Sequence, residues 1–348
     1  MAFLSIASYS QRTDYVEQIN KIITPDVALA PLEYLASDDL RGRSPKTEEI
    51  NIAAKYIADH FKNLRIKAPD SATDYFQKFD IRIKNPVKNG GQDSLTANSN
   101  TLITIPAKNV IGWIEGTDNK LKDQFVVLSA HYDHLGVTTQ PKMIEGKMDS
   151  IYNGARDNAV GVTAVMNAAT YFSKHTPKRS IMFIAFTAEE MGMLGSKYFS
   201  DHPVIPLNRI VYNLNCDNGG YNDTTIFTIV GLGRTSADDD IKAACMAYGI
   251  KPTGDPDSTL HLFDRSDNVN FAKKGIPAPT FGMGITGFDE KVRRYYHQLS
   301  DEFSSMDAGY VLKYIRSYIL AANNIANNPK QLKWRRGDKY EAAWKSLY

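Results

Sequence analysis

Beyond Gln124 the chain alternates apolar extended runs with segments of helical character, and this alternation limits the fold more than any other feature. The runs FVVLSA, SIMFIAFTA and RIVYNLN are largely apolar at consecutive positions, so both faces of each strand would be buried. Strands of this kind, separated by helices, are typical of a parallel sheet that is covered on both sides. We therefore predict an α/β fold with a mainly parallel central sheet and helices on both of its faces.

The same alternation continues towards the end of the chain. Helices are predicted at NAVGVTAVMNAATYFSKH, MGMLGSKYFSDH and DDIKAACMAYGI, a strand at APTFGMG, a long helix from about Met306 to Asn327, and an edge helix in the tail. Upstream, KTEEINIAAKYIADHFKNLRI predicts an amphipathic helix, and Pro25 and Pro31 are expected to interrupt an earlier helical segment. Residues 75–114 predict short strands around a polar loop.

The size and composition of the chain do not determine how many domains it forms. A chain of 348 residues, with 43% hydrophobic and 23% charged residues, can bury one large core or two modest ones. No internal repeat is present. We interpret residues 1–348 as a single domain, with an N-terminal helical segment over residues 1–70 packed on it.

Charge and cysteine content argue against several classes of protein. The formal net charge is +2 and the densest basic cluster is the short stretch KWRRGDK, so nucleic-acid binding is not favoured. Cys216 and Cys245 are too few for a disulfide framework or a thiolate metal site, although they could pair. No apolar stretch is long enough to span a bilayer, and MAFLSIAS lacks the basic region of a signal peptide. We expect either an intracellular protein or one whose export signal has been removed.

Acidic and histidine residues follow the apolar strands. Glu189 and Glu190 end the run IMFIAFTAEE, His131 follows FVVLSA, Asp217 follows YNLNC, and Asp157 stands just before a predicted helix. In open α/β sheets, ligands bind at the carboxyl ends of the strands. We therefore expect these side chains to converge on one edge of the sheet.

Each of these residues also has a purely structural explanation. Asp157 could cap its helix, His131 or His134 could be a hydrogen-bonded core histidine, and the paired glutamates could lie in a solvated loop. Charged residues are rarely left at the ends of buried strands without a partner or a metal, however. The whole set therefore favours a metal site over coincidence.

The ligand types narrow the choice of metal. Imidazole and carboxylate donors without thiolates suit zinc, with cobalt or manganese as possible substitutes. Four carboxylates and two or three histidines exceed what one catalytic zinc takes, which favours two ions that share a carboxylate. Successive strand residues point to opposite sides, so one of the adjacent glutamates could bind metal while the other moves protons.

The motifs occur in a characteristic order. HYDHLG, ARDNAVG, AFTAEEMGMLGS, LNCD, RSDNVNFAKKGIPA and YHQLSDEF together resemble the zinc aminopeptidase family that includes bacterial leucyl aminopeptidases, glutamate carboxypeptidases and glutaminyl cyclases. The resemblance runs from about Asn109 to about Phe303, with a looser similarity in LASDDLRGR. It implies a di-zinc exopeptidase-like architecture of the phosphorylase/hydrolase-like kind.

The resemblance also implies a centre with two Zn2+ ions per chain, bound by five residues: His131, Asp157, Glu190, Asp217 and His297. In this arrangement Asp157 bridges both ions. His131 and Asp217 complete one site, and Glu190 and His297 complete the other. His134 is not expected to be a ligand.

Three further residues receive catalytic roles from the same resemblance. Glu189 would be the general base that takes a proton from the zinc-bridged water and delivers it to the leaving amine. Asp133 would orient the imidazole of His131 through its other nitrogen. Tyr296 could polarise the substrate carbonyl, although a packed core tyrosine is an equal alternative.

The chain departs from the family pattern in two places. Arg156 stands where relatives often carry aspartate, and we expect it to form an ion pair with a neighbouring carboxylate rather than contact the substrate. No inserted lid domain fits between Phe79 and Asn109. Relatives commonly have a cis peptide after the bridging aspartate, so one is predicted between Asp157 and Asn158.

The function implied by the resemblance is that of a metal-dependent exopeptidase, most directly an aminopeptidase that acts on peptides with a free N terminus. Alternatives are a single-zinc glutaminyl cyclase, a carboxypeptidase on the same scaffold, and a non-catalytic binding module. Residues 263–267 and 281–287 are candidates for the side-chain pocket, in which Phe281 and Met283 suggest a hydrophobic preference. Relatives are often exported, so a periplasmic or secreted location is expected by analogy.

Overall fold

The computed structural model describes residues 14–71, 74–84, 88–89, 92–93 and 102–348. The strands in these residues are β1 (Phe76–Lys84), β2 (Lys88–Asn89), β3 (Gln92–Asp93), β4 (Leu102–Ile114), β5 (Phe125–His131), β6 (Gly136–Ile144), β7 (Lys147–Tyr152), β8 (Ser180–Phe186), β9 (Ile210–Cys216), β10 (Ile226–Val230), β11 (Lys251–Thr253) and β12 (Thr280–Met283). The α-helices are α1 (14–22), α2 (Pro25–Leu35), α3 (Glu49–Asn63), α4 (Val160–Phe172), α5 (Leu194–Asp201), α6 (Asp238–Ala247), α7 (Asn268–Lys273), α8 (Glu290–Arg293), α9 (Ala308–Asn327) and α10 (Glu341–Leu347).

Eight of the strands form one mixed sheet in the order β1-β4-β8-β5-β9-β12-β10-β11. Its four central strands, β8, β5, β9 and β12, are parallel to one another, whereas β1 and β4 pair antiparallel on one side and β10 is antiparallel to β12 on the other. Every residue of β5, β8 and β9 is buried, as the apolar runs predicted. The α/β fold class with a mainly parallel centre is confirmed.

Alternate residues of the central strands belong to two hydrophobic clusters. Val126 and Leu128 of β5 share a cluster with residues of α4 and α9, whereas Phe125 and Val127 belong to another that includes residues of α5 and α7. Because successive strand residues point to opposite faces, these clusters lie on the two sides of the sheet. The predicted helices on both faces are therefore present.

The N-terminal helices join the first of these clusters. Ile19, Leu32 and Ile57 of α1, α2 and α3 are fully buried in it, together with residues of α4 and α9. The expected interruption at Pro25 is confirmed, because α1 ends at residue 22 and α2 begins at Pro25, where a proline in the first turn has no N–H partner to lose. The interruption expected at Pro31 is wrong, because α2 continues through this buried residue to Leu35.

Several elements were not predicted from the sequence, including β11, α7 and α8. Strand β10 is a five-residue apolar run that pairs with β12, and β6 and β7 form an exposed hairpin between His131 and Asp157. The prediction that no lid domain is inserted concerns mainly the residues between β1 and β4, most of which lie outside the described part of the chain. Cys216 and Cys245 are both buried and unpaired with each other.

Candidate metal centre

The candidate ligands lie where the central strands end. His131 is the last residue of β5, Asp217 directly follows β9, and Glu189 and Glu190 come shortly after β8. Since these three strands are adjacent and parallel, their carboxyl ends meet at one edge of the sheet. Asp157 reaches the same edge from a π-helical turn over Ala155–Ala159 that precedes α4.

The first group of ligand atoms surrounds the imidazole of His131. Its Nε2 lies 3.3 Å from Asp157 Oδ1 and 3.4 Å from Asp217 Oδ1. The three side chains place one ligand atom each within 4.8 Å of the others, a spacing that one cation could satisfy. His131 is 1% exposed and Asp157 is 4% exposed, so this group lies inside the protein.

The second group uses the other oxygen of Asp157. His297 Nε2 lies 3.1 Å from Asp157 Oδ2 and 3.2 Å from Glu190 Oε2. His134 also belongs here, because its Nδ1 lies 2.8 Å from Glu190 Oε1 and it can share one ligand position with Glu190 and Asp157. All five side chains named from the sequence as ligands therefore come together, with Asp157 between the two groups.

The neighbours of Asp157 fix its position. A cis peptide joins Asp157 to Asn158, as predicted. The main-chain N–H of Asp157 donates to Asp301 Oδ2 at 3.2 Å, and the guanidinium of Arg156 forms an ion pair with Asp301 Oδ1 at 3.0 Å. The predicted ion pair of Arg156 is confirmed. The guanidinium also donates to the side chain and the main-chain oxygen of Ser305, so its hydrogen bonds are made within the protein rather than to a substrate.

Asp133 connects the segment after β5 with the segment after β8. Its carboxylate accepts the main-chain N–H groups of Glu189, at 3.1 Å, and Glu190, at 3.3 Å. The Nδ1 of His131 lies 3.1 Å from the main-chain oxygen of Asp133 and 3.8 Å from its carboxylate. The main chain of Asp133 therefore contacts the imidazole, while its carboxylate holds the two glutamates in place.

Comparisons with known proteins agree with this geometry. A model of peptidase family M28 matches residues 109–321, which is more than half of the chain and includes every candidate ligand. The chain belongs to peptidase family M28. Among curated relatives, the aminopeptidase YwaD of Bacillus subtilis is 28% identical over 201 residues, covering 56% of this chain and 39% of that protein. A vacuolar membrane protease of Candida glabrata is 25% identical over 210 residues, covering 59% of this chain and 19% of that protein.

Solved structures give the same fold. An aminopeptidase from Aneurinibacillus sp. strain AM-1 superposes with a TM-score of 0.65 at 17% identity, covering 93% of this chain and 98% of that one. A glutaminyl cyclase from Bacteroides thetaiotaomicron gives 0.58 at 18% identity, covering 88% and 99%. At such identities the likeness shows the fold alone, and the chain spans well under two thirds of the curated relatives it matches.

The electrostatics of this M28 site indicate an excess of negative charge. Burial acts to lower the pKa of His297, but its hydrogen bonds with Asp157 and Glu190 raise it to about 10. Burial acts to raise the pKa of Asp157, yet hydrogen bonds from His131 and His297 hold it well below its usual range. In the metal-free protein, the positive charge of a protonated histidine compensates the carboxylates, as a metal cation would. The set of donor groups therefore fits a metal ion.

Glu189 has a different environment from its neighbour Glu190. Burial, together with the charges of Asp217 and Asp267, raises the pKa of its carboxyl to about 10, although His131 acts in the opposite direction. The preceding Ala188 has a φ of 57°, a left-handed conformation that turns the chain sharply after β8. Glu189 is thus a carboxyl group that holds a proton readily and lies beside the ligands without belonging to either group.

Tyr296 lies between the centre and a cavity of about 120 Å³. Its ring stacks on His297, with centroids 4.1 Å apart, and its hydroxyl accepts a hydrogen bond from Arg265 at 3.3 Å. Burial, reinforced by the charge of Asp157 and opposed by Arg265, raises the pKa of Tyr296 to about 12. Its hydroxyl remains protonated at neutral pH and can donate a hydrogen bond into the cavity.

Sequence reasoning missed three residues that contribute to this M28 site. His134 contacts Glu190 but was not expected to be a ligand, and the HYDH motif was the only available signal. Asp267 is fully buried beside Glu189, whereas the sequence analysis placed it only in the candidate pocket segment 263–267 and gave it no role at the metal centre. Arg43 lies in the LASDDLRGR segment, more than 80 residues before the first ligand.

Proposed function

We propose that this chain is a metal-dependent aminopeptidase that hydrolyses the N-terminal peptide bond with two zinc ions bound per chain. One observation carries the proposal: the two carboxylate oxygens of Asp157 contact imidazoles of two different ligand groups. A carboxylate between two histidine-containing groups can supply one oxygen to each of two neighbouring metal ions.

In this proposal the two groups of side chains that the distances define are the two zinc sites. His131 and Asp217 would hold one ion and Glu190 and His297 the other, with Asp157 placed between the two pairs. Zinc bound here would polarise the scissile carbonyl and make a water molecule acidic near neutral pH. His134, whose Nδ1 is within hydrogen-bond distance of Glu190, orients that carboxylate.

Glu189 is the proposed general base and acid. Its carboxyl takes a proton from the attacking water and returns it to the leaving amine as the peptide bond breaks. Burial raises the pKa of this carboxyl in the metal-free protein, and the positive charge of zinc at the neighbouring ligands would lower it, so that the carboxylate can accept a proton at neutral pH. Asp133 holds the main chain of Glu189, so the base keeps its place while it changes protonation state.

The cavity beside Tyr296 is the proposed site for the side chain of the first residue. It is lined mainly by small and apolar residues, among them Val230, Leu262, Gly282, Met283, Ile285, Phe288 and Val292. Phe281, the other residue considered from the sequence, is fully buried and packs on Phe227 and Tyr314 instead. Met283 therefore supports a hydrophobic preference, and Phe281 is a core residue.

Two alternative activities remain as outcomes of the test. A glutaminyl cyclase is among the structural neighbours, and the resemblance implies a single zinc for that activity. A carboxypeptidase would need a basic residue for the terminal carboxylate. Arg156 is paired with Asp301, which leaves Arg265 beside Tyr296 as the basic side chain that lines the cavity.

The deciding experiment combines metal content with substrate range. We expect two equivalents of zinc after loading and dialysis, and release of the first residue from leucyl and methionyl anilides but not from N-acetylated ones. One equivalent of zinc with cyclisation of N-terminal glutamine would replace the aminopeptidase by a cyclase. Release of a C-terminal residue from N-blocked peptides would identify a carboxypeptidase.

We also propose that the described chain acts as one catalytic unit, because helices α1 to α3 share a hydrophobic cluster with α4 and α9. A periplasmic or secreted location stays a prediction from the resemblance. No helix among the residues that the structure describes is both long enough and apolar enough to cross a membrane.

A further inference from the structure

Arg43 is a charged side chain that is completely buried behind the metal centre. It lies at the end of the 3-10 turns over Asp38–Arg43, between α2 and α3, with a φ of 50°. The guanidinium of Arg43 forms no ion pair in the described part of the chain, so its partners have to be neutral groups. Burial lowers its pKa to about 10, while the charges of Asp133 and Asp157 act to raise it. Arg43 therefore stays charged at neutral pH.

Its hydrogen bonds reach both segments that carry the first group of ligands. Nε donates to the main-chain oxygen of Tyr132, which stands between His131 and Asp133, at 2.9 Å. Nη1 donates to the oxygen of Asn153 at 2.6 Å, and Nη2 donates to the oxygen of Gly154 at 3.0 Å. One rigid group thus connects the end of β5 with the turn that holds Asp157.

The main chain around Arg43 strengthens this connection. The oxygen of Arg43 accepts the N–H of His134 at 3.2 Å, so residues 132–134 are held by both the side chain and the main chain of one residue. A Cβ at Gly42 would lie 2.4 Å from the oxygen of Gly136 and 2.6 Å from that of Tyr152. The segment therefore packs against the base of the β6–β7 hairpin with no room for a larger residue.

We propose that Arg43 is a positioning residue that sets the spacing between the His131 segment and the Asp157 segment, and through it the affinity of the centre for zinc. This inference rests on the zinc centre of the proposed function. The planar guanidinium donates to four carbonyl groups at fixed angles, the fourth being that of Leu35 in α2, which an ammonium group on a flexible stem cannot do. The N-terminal segment thereby takes part in metal binding without supplying a ligand.

A buried arginine could also serve stability alone, and the chain contains a matched example. Arg179 is 1% exposed and donates to the main-chain oxygens of Ile325, Asn328 and Lys330 at the end of α9, as well as to the side chain of Gln124. It makes the same kind of contacts as Arg43, but it lies at the amino end of β8, away from the ligands. Arg179 therefore separates the cost of losing a buried guanidinium from the effect on zinc.

The test compares Arg43→Lys with Arg179→Lys in the full chain. Zinc dissociation constants are measured by competition with a chromophoric chelator, below the melting temperature of each variant, and Co2+ absorption spectra report the ligand geometry. We expect both substitutions to lower the melting temperature. Arg43→Lys should weaken zinc binding about 10- to 100-fold and alter the Co2+ spectrum, as loss of a group that orients ligands does, whereas Arg179→Lys should leave both unchanged.

Equal zinc affinity in the wild type and Arg43→Lys would overturn the proposal, as would an equal loss in both lysine variants. If Arg43→Lys does not fold, Asn153→Ala replaces it, because the amide of Asn153 donates to Ala36 and Asp38 and ties the same turn to the same N-terminal segment. Asn153→Ala should then weaken zinc binding, and an unchanged constant would count against the proposal. A wild type that binds no zinc would instead refute the proposed function.

Discussion

The two ends of the central parallel strands have opposite electrostatic designs. At the carboxyl ends, carboxylates and imidazoles of the metal centre are buried together, and histidines are the cations closest to them. At the amino ends, buried polar groups are matched: Ser180 bridges Gly116 and Lys122, and Arg179 donates to main-chain oxygens after α9. The buried polar groups cited at the amino ends bond to neutral groups of the chain, whereas the carboxyl ends have an excess of negative charge.

This difference indicates that the carboxyl ends of the strands are the ones suited to bind a cation. Burying several like charges costs stability unless a cation compensates them. The amino ends contribute to stability whatever is bound, whereas the carboxyl ends should contribute only when zinc is present. Substitutions at the two ends are therefore expected to change the free energy of unfolding in opposite directions as well as by different amounts.

The largest expected difference concerns catalysis. Glu189→Gln keeps the size of the side chain and removes the proton acceptor, so turnover of an aminoacyl anilide should fall about 10²- to 10⁴-fold. Glu115→Gln is the matched control, because Glu115 follows β4 at the amino-end side of the sheet and pairs there with Lys67 and Lys122. Its turnover number should not change. Equal rates for Glu189→Gln and the wild type would exclude Glu189 as the base.

Zinc removal should give the next largest effect. A ligand present at 100 times its dissociation constant stabilises the folded state by about 2.7 kcal/mol, so chelation should lower the melting temperature by several degrees. The shift should shrink in Asp217→Asn, which removes one ligand, and persist in Arg179→Lys, which alters the other end of the strands. A wild-type melting temperature that does not respond to zinc would contradict the comparison.

Two buried aspartates sharpen the comparison further. Asp267, near the carboxyl ends, forms no ion pair within the described residues, and burial raises its pKa to about 7. Asp238, near the amino ends, pairs with Arg335 at 3.0 Å. In zinc-free protein at pH 8, Asp267→Asn should therefore raise the free energy of unfolding by on the order of 1–3 kcal/mol. Asp238→Asn should stabilise less or destabilise, because it breaks an ion pair.

The sign of this effect changes with pH in a defined way. A carboxyl whose folded pKa exceeds its unfolded pKa binds more protons when folded, so it costs stability increasingly as the pH rises from about 4 to 7. The gain from Asp267→Asn should thus be large at pH 8 and small at pH 4 in thermal unfolding. An equal gain for both aspartates, or one independent of pH, would show that the ends do not differ.

The sequence was sufficient for the centre of the fold and for the convergence of the candidate ligands at one edge of the sheet. Strands β5, β8 and β9 are buried along their whole length, and the parallel arrangement itself places a candidate ligand at the end of such a strand, as His131 and Asp217 show. Strand β10 was missed because a five-residue apolar run has no periodicity that separates strand from other structure. The β6–β7 hairpin, with its turn at Glu145 and Gly146, interrupts the alternation of strand and helix.

Residues that act through main-chain contacts could not be predicted in the same way. Arg43 and Asp133 hold ligand segments by bonding to backbone groups, and no residue pattern specifies which carbonyl or N–H a side chain will meet after folding. Asp133 was expected to orient the His131 imidazole, and its main-chain oxygen lies 3.1 Å from the Nδ1 of that ring, but the bonds from its carboxylate to the N–H groups of Glu189 and Glu190 were not foreseen. The sequence predicts which residue types could bind a metal, whereas the residues that position them depend on how the chain packs.

The smallest expected effect lies at the rim of the carboxyl-end side, at the half-buried Glu302. Burial, with the charges of Asp149 and Asp38, raises its pKa to about 7. Its ionised form therefore costs stability as the pH rises from about 4.5 to 7, and Glu302→Gln should stabilise the protein at pH 8 but not at pH 4. Because solvent screens a partly exposed charge, the gain should stay below about 1 kcal/mol.

Glu341 is the control for Glu302, since a hydrogen bond from Lys345 lowers its pKa. A folded pKa below the unfolded one gives stability that is present at high pH, so Glu341→Gln should not stabilise at pH 8. Melting temperatures of both variants at pH 4 and pH 8 give the comparison. If Glu302→Gln failed to gain at pH 8, the excess negative charge would end at the ligands and would not extend to the rim of the site.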